Sequence, residues 1–170
     1  MSVILNILQY PDKDLRIHCE EVTEITEEIH TLIDQMRSTI ENYRAVGLAA
    51  PQVSIPKRVV VIRYDNKEYV LINPVIESHS DETNTVEEMC LSFVGADPVK
   101  VTRYNNIVVR ALDEDGNIIT HNVSGMLASI FQHEVEHLDG VLLLDHLSNL
   151  KKSMMKKRML KVHKKRKKYR

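Results

Sequence analysis

The feature that most constrains this chain is segment 132–137, Gln-His-Glu-Val-Glu-His, which places two histidines four residues apart. On an α-helix, such residues project from one face about one turn apart. Both imidazoles can then bind one metal ion, and Glu134 can take a proton from a water on that ion. Two buried histidines that only satisfy local hydrogen bonds are the alternative. The intervening glutamate favours a site of metal-assisted hydrolysis.

The sequence around this motif predicts the helix that the spacing requires. Ser124 is suited to the N-cap position and Gly140 to the first position after the C-cap. Between them, apolar residues recur at helical spacing: Met126, Leu127, Ile130, Phe131 and Leu138.

A third ligand is needed, and the downstream sequence does not supply one in a known pattern. Leu143 stands where one pattern of zinc proteases has a histidine, and no carboxylate follows Asp145. His146 fits neither pattern by its spacing. The third ligand is therefore expected upstream, where Cys19, Cys90 and several histidines are candidates.

Cys90 stands out among these candidates, inside the segment Glu-Glu-Met-Cys-Leu-Ser at 87–92. A thiolate with two imidazoles leaves an open coordination position, which suits catalytic Zn or Fe(II). The alternative is an ordinary buried cysteine acting as a small hydrophobe. With two cysteines and no signal peptide, we expect a cytoplasmic protein without a disulfide framework.

Taken together, three motifs resemble those of the peptide deformylases, in that family's order and at about its spacing. They are Gly-Leu-Ala-Ala-Pro-Gln at 47–52, Glu-Met-Cys-Leu-Ser at 88–92 and the histidine motif at 132–137. The similarity extends from Tyr10 to Asp145, which is nearly the whole chain.

The resemblance implies a metallohydrolase that removes the formyl group from the N-terminal methionine of nascent polypeptides. It implies one divalent metal ion, with Fe(II) as the usual physiological metal and Zn(II) or Ni(II) able to replace it. The implied metal ligands are Cys90, His133 and His137.

The resemblance also implies catalytic roles and a substrate pocket. Glu134 is the implied general base, while the side chain of Gln52 and the backbone N–H of Leu91 are implied to receive the developing oxyanion. The residues implied to bind the substrate are Val46, Gly47, Met126, Ser129 and Ile130. Met126 and Ile130 can equally be ordinary core residues.

Three positions depart from the family pattern. Ala45 and Met89 stand where the family usually has glycine, and Glu136 stands where it generally has aspartate. Because glycine often marks positive φ or close backbone approach, Met89 can strain its loop, narrow the groove or alter which peptides fit. A deformylase-like paralogue with weak or altered activity is therefore a competing hypothesis.

The pattern of elements predicts an α+β fold of mostly antiparallel sheets around the central histidine-bearing helix. An N-terminal amphipathic helix follows Thr26, with a buried stripe of Ile29, Leu32, Ile33, Met36, Ile40 and Tyr43. Predicted strands cover 58–64, 69–76, 100–104, 107–112 and 118–121, joined in part by turns at 65–66 and 113–117.

Charge divides the chain into a body, residues 1–150, and a basic C-terminal helical tail, residues 151–170. The tail holds 12 of the 23 Lys and Arg and no acid, which leaves the body with a net charge of −13. Such a tail is typical of contact with polyanions, here ribosomal RNA near the polypeptide exit. A solvated terminus and a non-catalytic RNA-binding accessory protein are alternatives. No apolar run reaches 18 residues, so no membrane span is expected.

Overall fold

The structure, a computed structural model, describes residues 3–168. Its helices in that range are α1 (Glu27–Tyr43), α2 (Gly125–Leu138) and α3 (Asn149–Lys168). Its strands are β1 (Gly47–Ala49), β2 (Val59–Tyr64), β3 (Lys67–His79), β4 (Thr83–Glu88), β5 (Val99–Tyr104), β6 (Asn106–Leu112) and β7 (Ile118–Ser124). Short 3₁₀ helices lie at Lys13–Arg16, Ala50–Val53, Leu91–Phe93 and Leu143–His146.

All strand pairs within the sheets are antiparallel. A five-stranded sheet has the order β1-β2-β3-β6-β7, and β4 pairs with β5 in a separate two-stranded sheet. The predicted α+β class, with antiparallel sheets around the histidine-bearing helix, is confirmed.

The larger sheet carries apolar side chains on both faces because successive residues of a strand point to opposite sides. On β2, Val60 and Ile62 join a buried cluster with Phe131 of α2. Their neighbour Val61 joins a second cluster with Met36 of α1. The two helices therefore cover opposite faces of this sheet, and α2 is held inside the molecule.

The predicted elements differ from the observed ones mainly at their ends. All five predicted strands occur, with ends moved by no more than three residues. Two strands were not predicted: β1 has three residues, and β4 has mostly exposed polar side chains without apolar alternation. Asp65 and Asn66 both have positive φ, as the turn between β2 and β3 requires.

The helix ends are where predicted, although two side chains do not cap them. Thr26 and Ser124 precede α1 and α2, but neither side chain forms a capping hydrogen bond. Gly140 has a φ of 70° just beyond α2, as predicted. Tyr43 was predicted to be buried, yet it is exposed because it is the last residue of α1.

Helix α3 packs on the body by one apolar side. Met159 is buried in a cluster with Leu15, Phe93 and Leu144, and Met155 packs against this cluster. Leu150 and Met154 are exposed. The predicted helix in the tail is therefore present, and the buried Met159 and partly buried Met155 attach it to the body.

Candidate metal centre and catalytic groove

The two histidines of α2 meet Cys90 at the end of β4. One potential ligand atom from each of Cys90, His133 and His137 lies within 4.8 Å of the other two. The Sγ atom of Cys90 is 3.4 Å from Nε2 of His137. A thiolate and two imidazoles at this separation fit a divalent ion such as Zn(II) or Fe(II), with a coordination position left open.

The other upstream and downstream candidates for the third ligand lie elsewhere. Cys19 is in the hydrophobic core with Ala49 and Leu138, where burial raises the pKa of its thiol to about 11. His146 is outside the cluster, and its Nε2 lies 2.8 Å from a carboxylate oxygen of Glu136. Of the candidates within the described residues, Cys90 alone joins the two histidines.

A buried network of charges holds the first histidine. Nδ1–H of His133 donates to Oε2 of Glu88 at 2.8 Å, which leaves Nε2 of the ring for a metal. Arg103 donates to both carboxylate oxygens of Glu88, at 2.7 and 2.9 Å. A further nitrogen of Arg103 donates to Glu136 at 2.6 Å, and Glu136 contacts His146. We call Glu88, Arg103, Glu136 and His146 the inner network.

The inner network also sets protonation states. Burial opposes ionisation of Glu88, but the hydrogen bonds from Arg103 and His133 outweigh it and hold the pKa of Glu88 at about 2. Burial lowers the pKa of His137 well below its usual value, with a further contribution from His133. A neutral imidazole is the form that binds a metal.

Glu134 is buried beside the ligands and has an oxygen without a partner. Within the described residues, Oε2 of Glu134 has no hydrogen bond. Burial raises the pKa of this carboxyl to about 7, although nearby His133 acts in the opposite direction. An unpartnered buried carboxylate oxygen needs a donor such as water. Its pKa suits a group that accepts and returns protons near neutral pH.

Gly47 leaves the space in which Glu134 lies. A Cβ atom at Gly47 would be 2.5 Å from Oε1 and 2.9 Å from Cδ of Glu134, closer than such atoms approach. Gly47, which the sequence analysis assigned to the substrate pocket, therefore also leaves room for the candidate base Glu134.

Two hydrogen-bond donors lie next to the sulfur of Cys90. Oε1 of Gln52 accepts from the backbone N–H of Ala49 at 2.9 Å, which fixes the orientation of the amide. Its Nε2 is then 3.2 Å from Oγ of Ser92 and 3.5 Å from Sγ of Cys90. The N–H of Leu91 has no acceptor among the described residues. Both groups predicted to receive an oxyanion are therefore near the candidate metal position.

Two cavities open beside these groups. The outer groove, about 470 Å³, extends from Gln52 and Cys90 toward Asp97 and Met155. The inner pocket, about 180 Å³, is lined in part by Met89 and Glu134. Four of the residues predicted to bind substrate line the inner pocket: Val46, Met126, Ser129 and Ile130. Gly47 lines the outer groove instead.

Met89 lines both cavities without straining its backbone. Its side chain is 74% exposed, and its φ is not positive. Ala45 likewise lacks a positive φ and packs partly buried in the core beside α1. The possibility that Met89 strains the loop was wrong, because the backbone there has a conformation open to any L-residue.

Sequence reasoning missed Arg103 and the role of Glu88. Arg103 occupies an inward position of β5, in alternation with Val99 and Val101. A charged residue on the apolar face of a strand is a signal that a buried partner exists. The sequence of β5 contains this signal, but it does not identify β4 as the strand that brings Glu88 to Arg103.

No helix within the described residues is long and apolar enough to cross a membrane.

Comparisons with known proteins agree with this geometry. The sequence model of the polypeptide deformylase family matches residues 4–153. Peptide deformylase 1 of Pseudomonas syringae pv. tomato is 42% identical over 164 residues, covering 95% of this chain and 97% of that protein.

Solved structures give the same result. A peptide deformylase from Legionella pneumophila has a TM-score of 0.89 and 36% identity, covering 96% of this chain and 98% of that one. The enzyme from Ehrlichia chaffeensis in complex with actinonin has a TM-score of 0.89 and 35% identity, covering 97% and 98%.

Proposed function

The chain belongs to the peptide deformylase family, metal-dependent hydrolases that remove the N-formyl group from nascent polypeptides, and we propose how its own residues perform this reaction. Cys90, His133 and His137 hold the ion. The observation that carries the proposal is that their ligand atoms lie within 4.8 Å of one another beside a buried, unpartnered carboxylate.

A divalent ion bound there supplies Lewis-acid chemistry, since it polarises a carbonyl and lowers the pKa of water from 15.7 to about 7. Glu134 accepts the proton of the attacking water and returns it to the departing amine nitrogen. Nε2 of Gln52 and the N–H of Leu91 donate to the oxygen of the formyl carbonyl as negative charge develops on it. Their orientation before reaction avoids the cost of arranging donors in the transition state.

We propose Fe(II) as the physiological metal, with Zn(II) and Ni(II) as replacements. The donor set supports this choice, because one thiolate and two imidazoles suit each of these ions. Metal analysis of protein purified without oxygen tests the assignment. Iron near one equivalent supports it, and zinc alone at that level contradicts it.

The test of the catalytic assignment is formate release from a formyl-Met peptide by the Fe(II)- or Ni(II)-loaded protein. Glu134→Gln should lose most of kcat while it keeps the metal, because it removes the base and no ligand. Cys90→Ser should lose both. Glu68→Gln, a change of the same kind at a distant carboxylate, is the control. Full activity of Glu134→Gln would contradict the proposed role.

We propose that the inner pocket receives the methionine side chain of the substrate. Val46, Met126, Ser129 and Ile130 line it, and the pocket adjoins Glu134 and His133. Most of the surface of this cavity is apolar, which fits an unbranched thioether side chain. Ser129→Leu should raise KM for formyl-Met peptides by filling the pocket. An unchanged KM in a folded variant would contradict this placement.

The hypothesis of altered activity now concerns the exposed side chain of Met89 rather than its backbone. Met89 borders both the outer groove and the inner pocket, so its side chain narrows the route between them. We expect Met89→Gly to raise kcat/KM for peptides with a bulky second residue. Met154→Gly, which changes an exposed methionine on α3, is the control for loss of apolar surface. If Met89→Gly leaves kcat/KM unchanged for every peptide, this obstruction does not exist.

We propose that the tail binds ribosomal RNA and so brings the enzyme to nascent chains in the cytoplasm. The support is the exposure of basic side chains along α3, including Lys156, Lys157, Lys161, Lys164 and Lys165. Because Met159 is buried in the core, deletion of 151–170 would also expose the body. Charge substitution is therefore the sharper experiment.

Changing those five lysines to glutamine should weaken ribosome co-sedimentation and reduce its salt dependence, since fewer phosphates are neutralised. Turnover of short peptides should be unchanged. Equal co-sedimentation by both proteins would contradict RNA binding by the tail. RNA binding by a protein without metal or turnover would instead favour the non-catalytic accessory role.

We also propose that residues 1–150, the body, carry the catalytic function and that residues 151–170, the tail, carry RNA binding. The match of the family model to residues 4–153 supports it, because the match ends near the start of the tail.

A further inference from the structure

The N-terminal segment runs between the two groups proposed to receive the oxyanion. The N–H of Leu8 donates to the backbone carbonyl of Gln52 at 2.8 Å. Two residues later, the N–H of Tyr10 donates to the carbonyl of Ser92 at 2.9 Å. One short stretch of chain is therefore bonded to the backbone of Gln52 on one side and to the loop after Cys90 on the other.

The side chain of Gln9 makes the remaining contacts with that loop. Its Nε2 donates to the carbonyl of Leu91 at 2.7 Å, and its Oε1 accepts from the N–H of Val94 at 3.2 Å. Because one partner is an acceptor and the other a donor, only one orientation of the amide satisfies both. Gln9 thus bridges both ends of the 3₁₀ helix Leu91–Phe93.

These bonds fix the peptide groups on either side of Leu91. The carbonyl of Cys90 accepts from the N–H of Phe93 at 2.9 Å, which orients the peptide group that contains the N–H of Leu91. Gln9 holds the next peptide group through the carbonyl of Leu91. With both neighbours held, the N–H of Leu91 has a fixed direction and no acceptor among the described residues.

We propose that Gln9 is a positioning residue for the oxyanion site, acting through the backbone of Leu91. This inference rests on the proposed function, because it assumes that the N–H of Leu91 stabilises the transition state. A mobile hydrogen-bond donor must be reoriented as the transition state forms, which costs free energy. A donor with a fixed orientation avoids that cost. Gln9 lines neither cavity, so its effect should fall on kcat and not on substrate binding.

Two substitutions separate the contacts of Gln9. Gln9→Glu is nearly isosteric: its carboxylate still accepts from Val94 but repels the carbonyl of Leu91. When protonated, it can donate to that carbonyl again. Gln9→Met keeps the length of the side chain and loses both bonds. Gln35→Glu is the matched control, since Gln35 lies on α1 and its side chain forms no hydrogen bond among the described residues.

The experiment measures formate release by the four metal-loaded proteins from acidic to neutral pH, with metal content and unfolding midpoint for each. We expect Gln9→Glu to lower kcat about tenfold at neutral pH, less than the 10²–10³ typical of losing a whole oxyanion donor. KM and metal content should stay within about twofold of the wild-type values. The kcat of Gln9→Glu relative to wild type should rise as pH falls toward the carboxyl pKa of about 4.3. The ratio for Gln9→Met should stay flat.

A wild-type protein that turns over while both Gln9 variants match its kcat would overturn this inference and leave the proposed function intact. A loss of kcat that follows a lower unfolding midpoint or lost metal would also overturn it, because Gln9 would then only stabilise the fold. Absence of turnover in the wild-type protein would instead contradict the proposed function itself. Hydrogen exchange at the Val94 amide then still tests the contact, since Gln9→Met should accelerate it and Gln9→Glu should not.

Discussion

Two arginines of this protein each bind several carboxylates, yet their surroundings differ. Arg37, on α1, donates to Asp34, Glu68 and Glu114, and its side chain is 25% exposed. Arg103, on β5, donates to Glu88 and Glu136 and is 3% exposed. Arg37 joins α1 to the start of β3 and to the turn after β6, whereas Arg103 supports a candidate metal ligand.

The contribution of an arginine–carboxylate ion pair depends on how deeply the pair is buried. Near the surface, water and salt screen an ion pair, so each pair stabilises the fold by only about 0.2–1 kcal/mol. Inside the protein, Glu88 is 10% exposed, and without Arg103 its charge would keep only the contact with His133. Loss of one member of the inner network therefore leaves charged side chains with fewer partners. The network also holds the imidazole of His133 in one orientation. Such rigidity suits a site whose geometry must be ready before substrate arrives.

The largest effect that this comparison predicts is on stability. Arg103→Met should lower the free energy of unfolding by about 3–5 kcal/mol, because the carboxylate of Glu88, which is 10% exposed, remains in the interior without its arginine. Chemical denaturation of the metal-free protein measures this change. A loss below about 1 kcal/mol would place the Arg103 network in the same class as a surface pair.

The next effect concerns metal retention. Glu88→Gln keeps the size of the side chain but removes the charge that accepts from Nδ1–H of His133. We expect metal affinity to fall about 10–100-fold, as is typical when a partner of a ligating histidine is changed. Competition with a chelator measures it without any assay of turnover.

Glu68→Gln removes the corresponding carboxylate from Arg37 and serves as the control. It should leave metal affinity unchanged, because Glu68 bonds to Arg37 and Arg63 and to no candidate ligand. Equal affinities for the two variants and the wild-type protein would show that Glu88 does not prepare His133 for the ion.

How much of this site the sequence could predict depends on whether its residues are local. His133, Glu134 and His137 share one helix, so their spacing alone predicts that they act together. Cys90 was the leading upstream candidate from its chemistry, but its place in the site could not be derived from spacing, because only the fold brings the end of β4 to α2. Arg103 and Gln9 belong to no recognised motif, and their partners lie on other elements.

Met89 shows a different limit of sequence reasoning. A glycine in related sequences suggested positive φ, but glycine can also be present because a side chain would fill useful space. The backbone at Met89 is ordinary and the side chain projects between two cavities. At Gly47 the glycine is present, and its lack of a side chain makes room for Glu134.

The smallest predicted effect comes from the exposed member of the pair. Arg37→Met should lower the free energy of unfolding by about 1 kcal/mol, since its carboxylate partners regain contact with water when the cation is lost. Metal affinity and kcat should equal those of the wild-type protein. Added salt should reduce the difference in stability between Arg37→Met and wild type, because screening weakens exposed pairs. For Arg103→Met more of the difference should persist in salt, because Glu88 is only 10% exposed. If salt reduced both differences equally, burial would not be what separates the two arginines.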